Sequence, residues 1–180
     1  MSKFAANLTM LFTEHPFLDR FEHAAGAGFE AVEFLFPYAF GAGDIRRRLD
    51  AHGLQLVLHN LPAGDWEAGE RGIACLPDRI DEFRTGVARA IAYAGALGVT
   101  QLNCLAGKAP TSVPEGVLRQ TFVDNLRFAA RELKKAGLNL LIEPVNTLDI
   151  PAFYLHHTVQ AASILVEVGF TRFFLIAFAA

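Results

Sequence analysis

The chain has 180 residues and a formal net charge of −3, with 52% hydrophobic and 19% charged residues. That is long enough for one domain with its own core, and the composition excludes a collagenous, disordered or disulfide-stapled chain. The slight acid excess supplies no basic footprint for nucleic acid.

The N-terminal segment MSKFAANLTMLFTEHPF lacks a signal-like apolar stretch, since Glu14 and His15 interrupt it early. The longest uninterrupted apolar run, Phe173 to Ala180, falls well short of the roughly 20 residues a bilayer span takes. Cys75 and Cys104 lie far apart without metal-ligand spacing, as reduced thiols do. The expectation is a soluble, cytoplasmic protein with no membrane or nucleic-acid partner.

In chain order, a first strand is expected over Lys3 to Leu8. A glycine after a helix end is then followed, five times, by a short β-rich run: Gly28 before FEAVEFLF, Gly53 before LQLVLHN, Gly98 before VTQLNCL, Gly137 before LNLLIE and Gly169 before FTRFFLI. Glycine suits the left-handed position past a helix C-terminus, and the runs read as parallel strands buried on both faces. Between them lie segments of helical period. Asp44 to Ala51 carries Ile45 and Leu49. Asp78 to Leu97 carries Ile80, Phe83, Val87, Ile91 and Ala94. Glu115 to Ala136 carries Leu118, Phe122, Leu126, Ala129 and Leu133.

The alternation, five βα units and a sixth strand, admits a doubly wound sheet or a (β/α) barrel. The dinucleotide turn G-x-G-x-x-G is missing, and polar residues gather just after the strands, at His59-Asn60, Asn103 to Lys108 and Glu143 to Asn146. That is the end where barrels carry their sites, so the fold class expected is α/β of the TIM-barrel type. A complete eight-fold barrel takes about 250 residues, so the barrel is expected to be incomplete.

Glu143 is the one charge from Leu138 to Leu148, at the end of an apolar strand. A carboxylate there needs a cation, a metal or donor partners. It reads as a general base or metal ligand at the barrel mouth, or as a structural carboxylate paired with a Lys or Arg of a neighbouring strand. Glu33, inside VEFLFPY, is placed at the same mouth.

His59 ends the third strand run, where it could orient a substrate hydroxyl or carbonyl, or simply bond to backbone. Asn60 and Lys108, in the same group of strand-end polar residues, are further candidates for substrate binding. The loop GDWEAGERGIACLP, 64–77, is long for a βα connection and reads as a lid or substrate loop. Its Arg71 could hold a substrate carboxylate bidentately, or pair with Glu67 or Glu70. Gly107-Lys108 lacks the rest of a phosphate loop. Cys104 has no identifiable activating base and reads as a buried small residue. Arg46, Arg47 and Arg48 read as a solvated helix face, and His156 and His157 as surface residues.

The segments FAANLTMLFTEHPFLDRF, GFEAVEFLFPY, LHNLPAGDWEAGERGIACLP, LNCLAGKAP, FVDNLRFAA and LLIEPVNTLDIPAFYL resemble the hydroxypyruvate isomerases. They also resemble the related 2-oxo-tetronate isomerases, among the xylose-isomerase-like TIM barrels. The resemblance covers about residues 1 to 169. It implies an aldose–ketose isomerisation of hydroxypyruvate to tartronate semialdehyde, in which a carboxylate moves a proton through an enediolate. A divalent cation, Mg²⁺ or Mn²⁺, would polarise the carbonyl. Glu143 matches a family glutamate that is both acid/base and metal ligand.

After Gly169 the text departs from the family. Phe178 stands about where a ligand Asp belongs, and the further ligand and second catalytic Glu of strands seven and eight have no counterpart. The expectations are a partial barrel domain over 1–169, a divergent apolar tail over 170–180, and homo-oligomerisation through exposed barrel edges. The readings to weigh are a hydroxypyruvate isomerase, a 2-oxo-tetronate isomerase, and a barrel remnant serving as an interaction module.

Overall fold

The structure is a computed structural model that describes residues 4–169 and the strand Phe173–Leu175. Apart from that strand, the tail expected over 170–180, Phe178 included, lies outside the described residues.

Six parallel strands form one sheet in sequential order: β1 (Ala5–Asn7), β2 (Ala31–Phe34), β3 (Gln55–Asn60), β4 (Gln101–Cys104), β5 (Asn139–Ile142) and β6 (Phe173–Leu175). Five α-helices alternate with them: α1 (Arg20–Gly26), α2 (Ala42–His52), α3 (Ile80–Leu97), α4 (Glu115–Lys135) and α5 (Thr158–Val168). A doubly wound sheet reverses its strand order at a switch point. Here each strand pairs with its successor, which is barrel order, as expected.

The apolar stripes read from the sequence are the packed faces. Ile45 and Leu49 of α2, Phe83, Val87 and Ala94 of α3, and Leu118, Phe122, Leu126, Ala129 and Leu133 of α4 are all buried. Full burial of each large side chain contributes roughly 1.5–3 kcal/mol. Gly53 and Gly98 end α2 and α3 in the left-handed conformation. Among the described residues no helix is long and apolar enough to cross a membrane.

Strand alternation sorts the side chains onto two faces. Phe34 packs edge-on against Phe17 and Phe21 of the α1 layer, so its face of the sheet looks toward the helices. His59 is the register partner of Phe34 and lies on that same face, stacked with Phe34 and edge-on to Tyr38. Their sequence neighbours Glu33 and Asn60 therefore look the other way, to the inner face.

The loop 64–77 is tied down. Its Gly72 bridges Ala106 after β4, the Cys75 amide donates to the Ala106 carbonyl at 2.8 Å, and the Asn125 amide of α4 reaches the Ala74 carbonyl at 2.9 Å. Gly72 has φ of +117° and Gly107 of +107°. A Cβ on Gly72 would sit 2.5 Å from the Leu105 carbonyl oxygen and 2.7 Å from the Gly107 nitrogen. Two backbones meet there with no room for a side chain. The expected lid is thus, from Gly72 to Cys75, a fixed wall.

Two stability predictions follow from this packing. Gly72→Ala should lose about 2 kcal/mol or more in urea unfolding, whereas Gly116→Ala, with open space around it, should leave stability level or raise it by about 0.5 kcal/mol. Equal, small effects at both positions would contradict the close approach. His59 is fully buried and its imidazole is pushed down to about 4 by desolvation. Between that value and its ordinary 6.5, the unfolded chain binds a proton that the folded chain refuses, so stability falls as the pH falls through this window. From pH 7 to pH 5, wild type should lose about 2 kcal/mol more than His59→Gln. Parallel pH profiles for the two proteins would contradict this burial.

Candidate active site

The inner face gathers one polar residue from the C-terminal end of each of the first five strands. Asn7 of β1 pairs in register with Glu33 of β2, and Asn60 of β3 with Asn103 of β4. Asn103 is also opposite Leu141. Glu143 lies two residues beyond Leu141, just past β5, which returns it to the same face. All five line one small cleft of about 20 Å³, together with Leu35 and Leu58.

The polar groups hold one another. Asn7 Nδ2 donates to Glu33 Oε1 at 3.1 Å. Asn103 Nδ2 donates both to Asn60 Oδ1 at 3.1 Å and to Glu143 Oε2 at 3.0 Å. Asn60 and Asn103 are 1% and 2% exposed, yet Asn60 Nδ2 and Asn103 Oδ1 have no hydrogen-bond partner among the described residues. A buried orphan of this kind costs roughly 1–3 kcal/mol, so it marks a place where a ligand or water belongs.

The hydrogen-bond partner of Glu143 among the described residues is this amide, not the Lys or Arg of a structural ion pair. Burial pushes its carboxyl up to about 6, opposed by the Asn103 bond and reinforced by the nearby charge of Glu33. Burial also raises Glu33, against the bond from Asn7. Two desolvated carboxylates of like charge share one cleft, and each is a stronger base than a carboxylate in water.

The other residues singled out from the sequence lie elsewhere. His59, on the opposite face of β3, does not line the cleft. Its Nδ1 is 3.1 Å from the Asn60 carbonyl oxygen, which also accepts from the Tyr38 hydroxyl at 2.6 Å, and its Nε2 has no partner among the described residues. It touches the site through the backbone of Asn60. Arg71 pairs with neither Glu67 nor Glu70. Its guanidinium lies 4.1 Å over the Trp66 ring and donates to the carbonyls of Trp66 at 3.0 Å and Glu70 at 2.7 Å. Glu70 is instead bound by Arg79, at 2.6 Å, which lowers the Glu70 carboxyl. Lys108 is exposed and donates to the Gly69 carbonyl at 2.9 Å. Arg71 and Lys108 thus belong to the wall formed by the 64–77 loop, not to the cleft. Asn7 is the cleft residue that pattern reading passed over; a single amide closing the apolar run of the first strand was its signal.

Cys75 and Cys104 are both buried with thiols pushed up by burial, Cys75 to about 12, so neither is a nucleophile. Arg46, Arg47 and Arg48 pair with Asp50, Asp44 and Asp19 on the surface.

A profile of the xylose isomerase-like TIM barrel family matches residues 21–177. The chain is 53% identical over 169 residues to a hydroxypyruvate isomerase of Escherichia coli K12, a match covering 94% of this chain and 66% of that protein. It is 47% identical to a 2-oxo-tetronate isomerase of Cupriavidus necator, with 94% and 65% covered. The chain therefore spans just under two thirds of the length of these curated relatives. Among solved structures, one from Brucella melitensis described as an AP endonuclease of family 2 superposes with a TM-score of 0.94 at 42% identity, over 97% of this chain and 67% of that one. A D-psicose 3-epimerase from Clostridium cellulolyticum H10 shares the fold at a TM-score of 0.75 and 15% identity, over 98% and 63%. With parallel strands in barrel order, polar residues at their C-terminal ends and a family profile matching most of its length, the chain belongs to the xylose isomerase-like TIM barrels.

Proposed function

We propose that the cleft isomerises a small 2-oxo acid, interconverting hydroxypyruvate and tartronate semialdehyde, with Glu143 as the group that moves the proton. The observation that carries this is the state of Glu143. It is a desolvated carboxylate raised to about 6, fixed through Oε2 by Asn103, with no hydrogen bond to Oε1 among the described residues. Near neutral pH such a group is mostly ionised yet more basic than an ordinary glutamate, which suits it to abstract a proton beside a carbonyl. The similarity to the E. coli and C. necator isomerases supports the same reading, the latter extending it to 2-oxo-tetronates.

The steps balance within one substrate. Glu143 takes a proton from C3, the C2 carbonyl oxygen gains the charge, and a C2–C3 double bond forms. The proton on the C3 hydroxyl passes to the C2 oxygen, and the protonated Glu143 returns its proton to C2 as C3 becomes the aldehyde.

The acceptors facing the cleft are oxygens, the type a hard divalent cation such as Mg²⁺ or Mn²⁺ prefers, although such an ion takes about six. Among the described residues no three His, Cys, Asp or Glu side chains converge as a metal cluster. Glu143, with Glu33 across the cleft, would contribute to holding the ion. When bound, it would polarise the carbonyl and stabilise negative charge on its oxygen.

The test is exchange of the C3 protons of hydroxypyruvate for deuterium, followed by proton NMR with the 180-residue chain and Mg²⁺ in D₂O. The chain should accelerate exchange over buffer, with a rate that rises with pH as Glu143 ionises. Glu143→Gln should lower the rate by about a hundredfold or more. Exchange at the buffer rate, or undiminished in Glu143→Gln, would overturn the proposal.

A further inference from the structure

Asn60 and Asn103 sit directly opposite one another on β3 and β4. Two facing carboxamides can close a ring of two hydrogen bonds, each amide giving one and taking one. Here one is present, from Asn103 Nδ2 to Asn60 Oδ1, while the second proton of the same nitrogen serves Glu143. Both Nδ2 protons of Asn103 are thereby used.

The orientation of each amide follows from this chain. Turning Asn103 over would set its Oδ1 against the Glu143 carboxylate, oxygen to oxygen. With Asn103 fixed, Asn60 must offer its Oδ1 to receive the second proton. What remains is a donor, Asn60 Nδ2, beside an acceptor, Asn103 Oδ1. Both are buried and without partners among the described residues, on residues that line the cleft.

We propose that this half-open amide pair is a subsite for the hydroxyl group of the substrate, which accepts from Asn60 Nδ2 and donates to Asn103 Oδ1 through one oxygen atom. A hydroxyl answers both orphans at once. A carbonyl or carboxylate oxygen answers only the donor, and a methyl group answers neither. This inference rests on the isomerase reading and deepens it: the hydroxyl held is the one on C3, the carbon whose proton Glu143 takes. Asn103 then fixes the base with its nitrogen and the reacting carbon's hydroxyl with its oxygen. The ligand class selected is a three- or four-carbon acid with a hydroxyl beside the reacting carbonyl, in preference to its deoxy counterpart. A site built to bond a hydroxyl rejects the analogue that lacks it, because its own buried groups are left unpaired.

The experiment uses D-glycerate and D-lactate, which differ only in the C3 hydroxyl and cannot enolise. Binding of each to the 180-residue chain in Mg²⁺ buffer is measured by calorimetry. Wild type should bind glycerate at least about tenfold more tightly than lactate, a ratio typical of one or two hydrogen bonds. Asn60→Leu should bring the ratio close to one, whereas a purely structural role would weaken both acids together and leave the ratio unchanged. A wild-type ratio near one overturns the subsite without recourse to any variant. So does an unchanged ratio in a folded Asn60→Leu protein, or failure of wild type to bind either acid. Deuterium exchange at C3 reports on Glu143 separately, so the isomerase reading stands or falls on its own measurement.

Discussion

The Asn103 carboxamide is the constraint on which the cleft depends. It holds the Glu143 carboxylate with one proton and the Asn60 side chain with the other. Its position follows from the sheet, since parallel register sets Asn103 beside Asn60 and one step below the end of β5. The bond to Asn103 favours the ionised form of Glu143, while burial and Glu33 disfavour it. Desolvation is the larger effect, so the carboxyl remains above its ordinary value, at about 6. The amide therefore fixes the direction of the base while burial sets its strength.

The surroundings keep this arrangement rigid. On the far face of the sheet, His59 and Tyr38 both converge on the Asn60 carbonyl, which ties the third strand end to the helix layer. Beyond the strand ends, the 64–77 loop is fastened at two levels. Its wall meets the chain after β4 through the facing glycines Gly72 and Gly107. Its tip is folded on itself by Arg71, stacked on Trp66, and by Glu70, which accepts from the Asp65 amide as well as from Arg79. Loops that carry function on a barrel depend on such a scaffold.

Much of this was legible in the sequence, for physical reasons that differ by element. The α4 stripe, Leu118 to Leu133, is visible because helical period survives in any helix with one buried face. The alternation of strand and helix follows from glycine-then-strand repetition, and Glu143 is conspicuous as a lone charge in an apolar strand. The facing of His59 and Asn60 was not legible. Adjacent strand residues point to opposite faces, and which face is inner depends on register with Phe34 and Asn103, which the chain reveals only once folded. The role of Arg71 was hidden for a similar reason. Its spacing from Glu67 and Glu70 allows an ion pair, but the turn at 65–70 gives Glu70 to Arg79, nine residues away. Asn7 and Asn103 are ordinary amides until the sheet sets them beside carboxylates.

In the function proposed, Glu143 is a buried base fixed by an amide and not by a cationic side chain. The most direct measurement is a ¹³C NMR titration of its side-chain carboxyl in the 180-residue chain, assigned by its disappearance in Glu143→Gln. A midpoint near 6, moving higher in Asn103→Leu, is the result expected. A midpoint at or below the ordinary 4.5, indifferent to Asn103, would contradict it.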